Sequence, residues 1–500
     1  MNSLIKTPQQ EAIIAHMKDN GSSLGVDAKA GSGKTSTGIM ICNELEGSAF
    51  FGAFNKAIAE ELKTRLRGIE NSMIEAGTWH SLGLRGWRRV YPKVAVDGDK
   101  LWKIVDKLGM QTSGGPIKEL VSLAKQGCFK GDEDAEAWQD IIDYHGIEIQ
   151  NRTAQVIEGA KKVFEASKDQ CTSVVDFDDM LWAPLHFDIE LPQYETILID
   201  EAQDTNKARR ELATRCMSED GKLCYLGDEN QSIYGFSGAD AQAMNLIQGK
   251  VDATLLPLTV SWRCAKEIIK RAQRWVPSIE HAPSAKQGEI LYTTEGEVLK
   301  QLIDGYGEKA AHIPKAGDAV LCRNTKPLVQ MAYHCIRNRV GVTIEGRDIG
   351  KKLTKLVEKF KEPQLSKLRD RVDAYSREEQ ERLIQKNKPG IAALIADMCD
   401  TVDFLAESLM LEEKKDTRDL TDLLNRMFSD SGGGSASTIL LSTIHKSKGR
   451  EWEKVFILGE NRYQPSKYAK QPWMKQQEMN LCYVATTRAK DTLVHIEVMG

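Results

Sequence analysis

No Cys-x-x-Cys pair occurs among the ten cysteines of this 500-residue chain, which are Cys42, Cys128, Cys171, Cys216, Cys224, Cys264, Cys322, Cys335, Cys399 and Cys482. That scatter implies neither a disulfide framework nor a zinc knuckle, and it predicts reduced thiols, several of them inside apolar runs. The nine histidines do not cluster either, so zinc chemistry has no ligand set here. No apolar run is long enough to span a bilayer, and Met1 to Gln10 lacks the charged-then-apolar layout of a secretory signal. The expectation is a protein of the cytosol or nucleoid of a bacterial or phage-infected cell. Excess positive charge is missing as well: 68 Lys and Arg stand against 72 Asp and Glu, for a net charge of -4. A nucleic-acid site must therefore be a local basic groove rather than a property of the whole molecule.

What is present describes a globular protein of several domains, with 41% hydrophobic and 28% charged residues. Ser23 to Val26 is a short apolar run that leads into a Gly-rich turn, and Ser36 to Leu45 has helix composition. Ala49 to Phe54 suits a buried strand and Ala57 to Leu66 a helix. From about Trp87 to Lys168 the pattern is helical and rich in Lys, Asp and Trp, as in an insertion. Thr196 to Ile199 and Leu223 to Leu226 then resume short apolar strands, each ending in acidic residues. A second set comprises Ala319 to Cys322, Thr438 to Ser442, Val455 to Leu458 and Leu493 to Ile496. Between its members lies the charged, helical stretch Lys351 to Phe428, closed by the flexible Gly/Ser segment Ser431 to Ser437. Two α/β domains, each interrupted by a helical subdomain, are the plainest reading.

The strongest local signal is Ala28-Lys29-Ala30-Gly31-Ser32-Gly33-Lys34-Thr35, which follows a strand and opens a helix. In such a loop the glycines turn backbone N–H groups toward phosphates, Lys34 brings a point charge to the β/γ oxygens, and Thr35 can ligate Mg²⁺. A second signal is the apolar strand Ile197-Leu198-Ile199 that delivers Asp200 and Glu201. A Mg²⁺-dependent nucleotide hydrolase needs both: Asp200 for the metal's water shell, Glu201 to orient and deprotonate the attacking water.

Those two motifs, together with Asp200-Glu201-Ala202-Gln203-Asp204, Gly227 to Phe236, Ser261-Trp262-Arg263, Thr443 to Gly449 and Leu481 to Ala489, resemble the ordered motifs of the UvrD/Rep family of superfamily 1 helicases. They span nearly the whole chain in the family's order. The resemblance implies an α/β fold with two RecA-like P-loop NTPase domains with parallel sheets, each carrying a mainly helical insertion. The first would comprise residues 1–85 and 172–262 with an insertion at 86–171, and the second 263–345 and 438–500 with a short insertion at 346–437. It further implies ATP with Mg²⁺, the metal on Thr35 and Asp200, and nucleotide contacts from Gln9, from Ala28, Ala30, Gly31, Ser32, Gly33, Lys34, Thr35 and Ser36, and from Trp262, Arg263, Glu451 and Arg488. Catalytic roles fall to Lys34, Glu201, Gln231, Arg263 and Arg488, the two arginines acting as fingers that stabilise transition-state charge. Phe54, Asn55, Lys56, Thr78, Trp79, His80, Tyr234, Phe236, Arg323, Asn324, Thr443 and His445 would touch single-stranded DNA, aromatic faces stacking on bases and polar groups holding phosphates.

The departures are specific. The family usually has a Trp-Arg pair where this chain has Phe236-Ser237, and an Arg where Ser36 follows the phosphate loop. The insertion from about Gly346 to Ser437 is much shorter than in larger bacterial relatives, so regulation and processivity are not carried over. The implied activity is an ATP-driven helicase moving 3′ to 5′ on single-stranded DNA and acting at ss/ds junctions. Alternatives are a translocase that strips proteins without unwinding, and the motor subunit of a nuclease or defence assembly with replication, repair or nuclease partners. RNA is a further, weaker reading, since stacking and phosphate contacts do not read the sugar.

Overall fold

Strands covered by helices on both faces need apolar side chains on both faces, so they read as continuous apolar runs and pair in parallel. The computed structural model contains two such sheets and describes residues 6–19, 22–145, 147, 149, 152–234, 242–304, 310–338, 340–345, 347–385, 389–428, 438–466, 469 and 471–499. The chain divides into two units, residues 1–260 and 261–500.

The sheet of the first unit is built from β1 (Leu24–Ala28), β2 (Ala49–Ala53), β3 (Ile74–Thr78), β4 (Tyr194–Ile199), β5 (Met217–Gly227) and β6 (Thr254–Leu258). Their order is β3-β2-β4-β5-β1-β6, every pair parallel. Because β4, β5 and β1 are consecutive, the loops that follow them meet at one edge of the sheet, where ligands bind in open parallel sheets. Helices Lys34–Glu44 and Lys56–Leu66 follow β1 and β2. Close contact of β2 with helix Trp79–Val90 depends on Gly52, where an added Cβ would lie 2.0 Å from the Trp79 ring.

Between β3 and β4 the chain forms helices Trp79–Val90, Lys100–Lys107, Gly114–Gln126, Ala135–His145, Thr153–Gln170 and Phe177–His186. Their interior, with Trp87, Ile104, Val121, Trp138, Val163, Phe164 and Trp182, is a core of its own. Full burial of such side chains contributes about 1.5–3 kcal/mol each. The last helix starts in a capping box, in which Asp176 accepts from the Asp179 N–H at 2.7 Å and Asp179 accepts from the Asp176 N–H at 3.0 Å. Two buried lysines reach the same carboxylates: Lys100 Nζ lies 2.6 Å from Asp179, and Lys125 Nζ lies 2.6 Å from Asp179 and 3.0 Å from Asp176.

The second unit contains β7 (Glu289–Thr294), β8 (Ala319–Cys322), β9 (Val342–Ile344), β10 (Ile439–Thr443), β11 (Trp452–Leu458) and β12 (Ala489–Glu497). They form a parallel sheet in the order β7-β12-β11-β8-β10-β9. Helices Arg347–Phe360, Leu365–Gln385, Pro389–Leu411 and Thr417–Met427 lie in sequence between β9 and β10. Leu368, Leu405 and Leu424 from these helices belong to the same core as Val320, Ile344 and Leu441 of the sheet. The Gly/Ser segment at 431–437 lies outside the described residues.

The eight inner strands correspond to the apolar runs of the sequence, whereas the four edge strands β3, β6, β7 and β9 do not. Nine of the ten cysteines are buried and none is bridged. Among the described residues, no helix is long and apolar enough to cross a membrane.

Candidate functional site

The loop after β1 turns on Gly31 and Gly33, whose φ angles of 73° and 87° lie in the left-handed region that glycine enters without strain. That geometry starts helix Lys34–Glu44 with its backbone N–H groups facing the sheet edge. Lys34 is largely buried, and its Nζ lies 3.2 Å from Glu201 Oε2. Burial opposes its charge, but the carboxylates of Glu201, Asp228 and Asp200 outweigh that and raise its pKa. Thr35 donates to Asp200 Oδ2 at 2.8 Å. Burial, and then the neighbouring Glu201, pushes the Asp200 carboxyl up to about 6.

Glu201 itself sits at φ 51°, an uncommon and costly conformation for a residue with a side chain, and it aims the carboxylate back toward Lys34. Gln203 donates to Glu201 Oε2 at 2.5 Å and accepts from the Asp228 N–H at 3.1 Å. Gln231 donates to Asp228 Oδ2 at 2.8 Å. Gln203 and Asp228 are thus members of the site to which the motifs containing them had assigned no role. Their signal is the acidic end of β5 beside that of β4. Among the described residues, the buried Ser32 hydroxyl has no hydrogen-bond partner. A triphosphate fits this edge: it would meet the turned loop, a lysine, an orphaned hydroxyl and a threonine–aspartate pair suited to Mg²⁺.

Around the loop, Ala28 and Ala30 are buried, and the Ser36 hydroxyl accepts from Arg65 at 2.9 Å. Gln9 and its neighbour Gln10 differ in environment. Gln9 is held by Thr259, donating to its hydroxyl at 2.9 Å and accepting from its N–H at 3.0 Å. Gln10 is buried and donates to Thr37 at 3.1 Å, one turn into the loop's helix.

A second feature of the first unit is an aromatic cleft. The Phe54 and Tyr234 rings lie 6.0 Å apart and within 9° of parallel, with the Arg209 guanidinium 4.7 Å from the Phe54 ring. His80 meets the exposed Phe177 edge-on at 6.5 Å, and burial together with Arg209 pushes its imidazole down to about 4, so it is neutral at pH 7. Of the remaining residues expected on DNA, Lys56 is exposed. Asn55 and Thr78 cap helices, accepting from the N–H groups of Ile58 and Ser81 at 3.0 and 3.1 Å. Trp79 is buried, its ring edge-on to Phe50 at 5.5 Å. Phe236 lies outside the described residues.

In the second unit, Arg263 pairs with Glu451, which also binds Lys490 at 3.0 Å. Arg488 is buried and donates to the carbonyls of Val484 and Arg450, each at 3.0 Å. Trp262 is 53% exposed, so its ring is available as a stacking face. Arg323 forms a fork on Glu478 at 2.8 and 3.1 Å, and Asn324 precedes helix Thr325–Arg337. Thr443 heads the short helix Ile444–Ser447, within which burial and then Arg323 push His445 down to about 3.

Comparison with known proteins adds three findings. The family model of the UvrD/REP helicase N-terminal domain matches residues 6–252, and that of the UvrD-like helicase C-terminal domain matches residues 438–496. The chain is 26% identical over 339 residues to an ATP-dependent DNA helicase PcrA of Staphylococcus aureus, covering 60% of this chain and 43% of that protein. It is 25% identical over 549 aligned positions to F-box DNA helicase protein 1 of Schizosaccharomyces pombe, covering 98% of this chain and 57% of that protein. The chain thus spans about half the length of the curated relatives it matches. The first matched segment contains the whole triphosphate edge and the aromatic cleft.

Proposed function

We propose, from the premise that this chain belongs to the UvrD/REP helicase family with its two RecA-like parallel-sheet domains, that it is an ATP-driven DNA helicase. It moves 3′ to 5′ on single-stranded DNA and parts the duplex at ss/ds junctions. One observation carries the reading: Lys34, Thr35, Asp200, Glu201 and Gln231 come from three adjacent strand ends and meet at one edge of one sheet.

In the geometry at hand Lys34 and Gln203 both hold Glu201 Oε2. Binding of a triphosphate draws Lys34 onto the β/γ oxygens and releases Glu201 from that ion pair, so that its carboxylate can accept a proton from water. That water attacks the γ-phosphorus as the bond to the β,γ-bridging oxygen breaks, giving ADP and inorganic phosphate. Thr35 and Asp200 would hold Mg²⁺, which supplies positive charge against the phosphates when bound. Gln231, locked on Asp228 three residues before Tyr234, suits a role linking the γ-phosphate to the aromatic cleft. Arg263 and Arg488 take the charge-stabilising role that their motifs imply, and Gln9, Trp262 and Glu451 the nucleoside contacts. The RecA-like domains are assigned to 1–85 with 172–262 and to 263–345 with 438–500, the helical insertions to 86–171 and 346–437. Partner proteins are expected from replication, repair or nuclease assemblies of the cytosol or nucleoid.

Strand displacement with ATP and Mg²⁺, on duplexes carrying a 3′ or a 5′ single-stranded tail, tests this. Unwinding is expected from the 3′ tail alone, and Lys34→Ala should lower it about a hundredfold or more. Failure on both tails with DNA-stimulated hydrolysis intact would leave a translocase. Hydrolysis indifferent to DNA would remove the motor reading altogether.

A further inference from the structure

We infer that Arg209 is a positioning residue that ties occupancy of the aromatic cleft to the acidic strand end, so that a base entering against Phe54 changes how the Asp200–Glu201 turn is held. The inference rests on the DNA-motor reading and deepens it. Arg209 lies on helix Lys207–Arg215 and faces two ways. On one side its guanidinium covers the Phe54 ring at 4.7 Å. On the other, Nη1 donates to the Asp204 carbonyl at 3.2 Å. Asp204 closes the tight turn that begins at Glu201, its N–H donating to the Glu201 carbonyl at 3.0 Å. A displacement of the guanidinium therefore reaches the strained Glu201 backbone through two hydrogen bonds.

The cleft gives a reason for that displacement. Two aromatic faces that hold a base between them stand about 7 Å apart, twice the stacking distance. The Phe54 and Tyr234 ring centroids are 6.0 Å apart and their faces no farther, so a base must part the rings, and Arg209 lies against one of them.

The body of the helix is pinned meanwhile. Asn206 accepts from the Arg209 N–H at 3.0 Å and donates to Gln126 at 3.2 Å, while Gln126 donates to Asp178 at 3.1 Å. The guanidinium is thus the part free to respond. Among the described residues its buried Nε has no hydrogen-bond partner, and the acids it faces are Asp204 and Asp178, with the neutral His80 alongside.

ATP hydrolysis with and without saturating oligothymidylate, compared among wild type, Arg209→Gln, Phe54→Leu and the double variant, tests the link. The readout is the quotient of the stimulated to the DNA-free rate, which a general loss of folded protein does not move. Arg209→Gln should lower it about tenfold, within the usual range of coupling between sites. The double variant should fall no further, because both changes cut one connection. Arg209→Lys, which keeps the charge but not the planar face, should show the same loss and serves if the glutamine variant does not fold. A wild-type quotient in Arg209→Gln or Arg209→Lys, or a double variant at the product of the singles, overturns the proposal while the motor reading stands. A wild type that oligothymidylate does not stimulate removes both.

Discussion

The two helical regions of this chain are of similar type, but the helices in each are attached by different physics. The helices of the first unit have a separate core and are tied to one another by charge: Lys100, Lys125, Asp176 and Asp179 are all buried, while Leu82 and Leu181 share an apolar core with Phe50 and Ile197 of the sheet. Those of the second unit share one apolar core with the sheet, and helix Pro389–Leu411 packs against helix Thr325–Arg337 with Tyr333 edge-on to Phe404 at 5.6 Å. Apolar contact is strong but has no direction, whereas charged hydrogen bonds fix orientation and are lost outright when a partner goes. The first attachment is built to hold a geometry next to Asp178 and the aromatic cleft. The second is built to stabilise.

The largest expected effect tests the charged attachment. Asp179→Ala leaves two buried ammonium groups with Asp176 as the remaining carboxylate, and should cost about 3–5 kcal/mol in urea unfolding. A loss below about 1 kcal/mol would show that the cluster fixes nothing. In the second unit, Leu405→Ala should cost about 2–4 kcal/mol. Amide exchange would sharpen the contrast. Because Leu405 and Leu441 share a core, protection should fall in β10 as well as in the helices, whereas Val163→Ala should loosen the first helical region and leave β2 and β4 protected.

A pH series separates the acids of the first attachment. Burial resists the charge on Asp179, but Lys125 and Lys100 outweigh it and hold its carboxyl below the usual range. Its contribution is present above the unfolded pKa of about 4 and is lost as pH falls below that. Asp178 behaves oppositely: burial, then Asp176, pushes it up to about 6. Between about pH 4 and 6 the unfolded chain releases this proton while the folded chain keeps it, so stability falls as pH rises, by at most about 2–3 kcal/mol. Asp178→Asn should reduce the slope of that segment of the unfolding-pH curve, leaving the share that Asp200 contributes. An unchanged slope there would assign the titration to another group.

How much of this was legible depended on where each residue lies in the sheets. Ile197 to Ile199 and Val455 to Leu458 announce themselves because inner strands are apolar on both faces. The edge strand β3 carries Glu75 among half-exposed positions, so no apolar run marks it, and in β6 Pro257 interrupts the leucines and reads against a strand. The phosphate loop and the Asp200–Glu201 pair are local and readable by spacing. The join of Gln203 to Asp228 is not, because it follows from β4 lying beside β5, a fact of sheet order. Arg209 had no motif signal at all: its meeting with Phe54 spans more than a hundred residues of sequence and exists only in the fold.

The smallest expected effect concerns the ion pairs on the second helical region. Arg369 binds Asp403 at 2.6 Å and Glu407 at 3.4 Å, a fork that looks as well made as the buried cluster of the first unit. Its side chains are roughly a quarter to a half exposed, however, so water already satisfies the charges and screens their attraction. Hydrogen bonding to Asp403 raises the Arg369 pKa, but an arginine is protonated throughout the working pH range and the shift carries no pH dependence there. Arg369→Ala should therefore cost under about 1 kcal/mol, and less at 1 M than at 0.1 M salt, since that change shortens the Debye length from about 10 to 3 Å. If the loss instead matched that of Asp179→Ala and ignored salt, the second region too would be held by directional charge, and the contrast between the two attachments would fail.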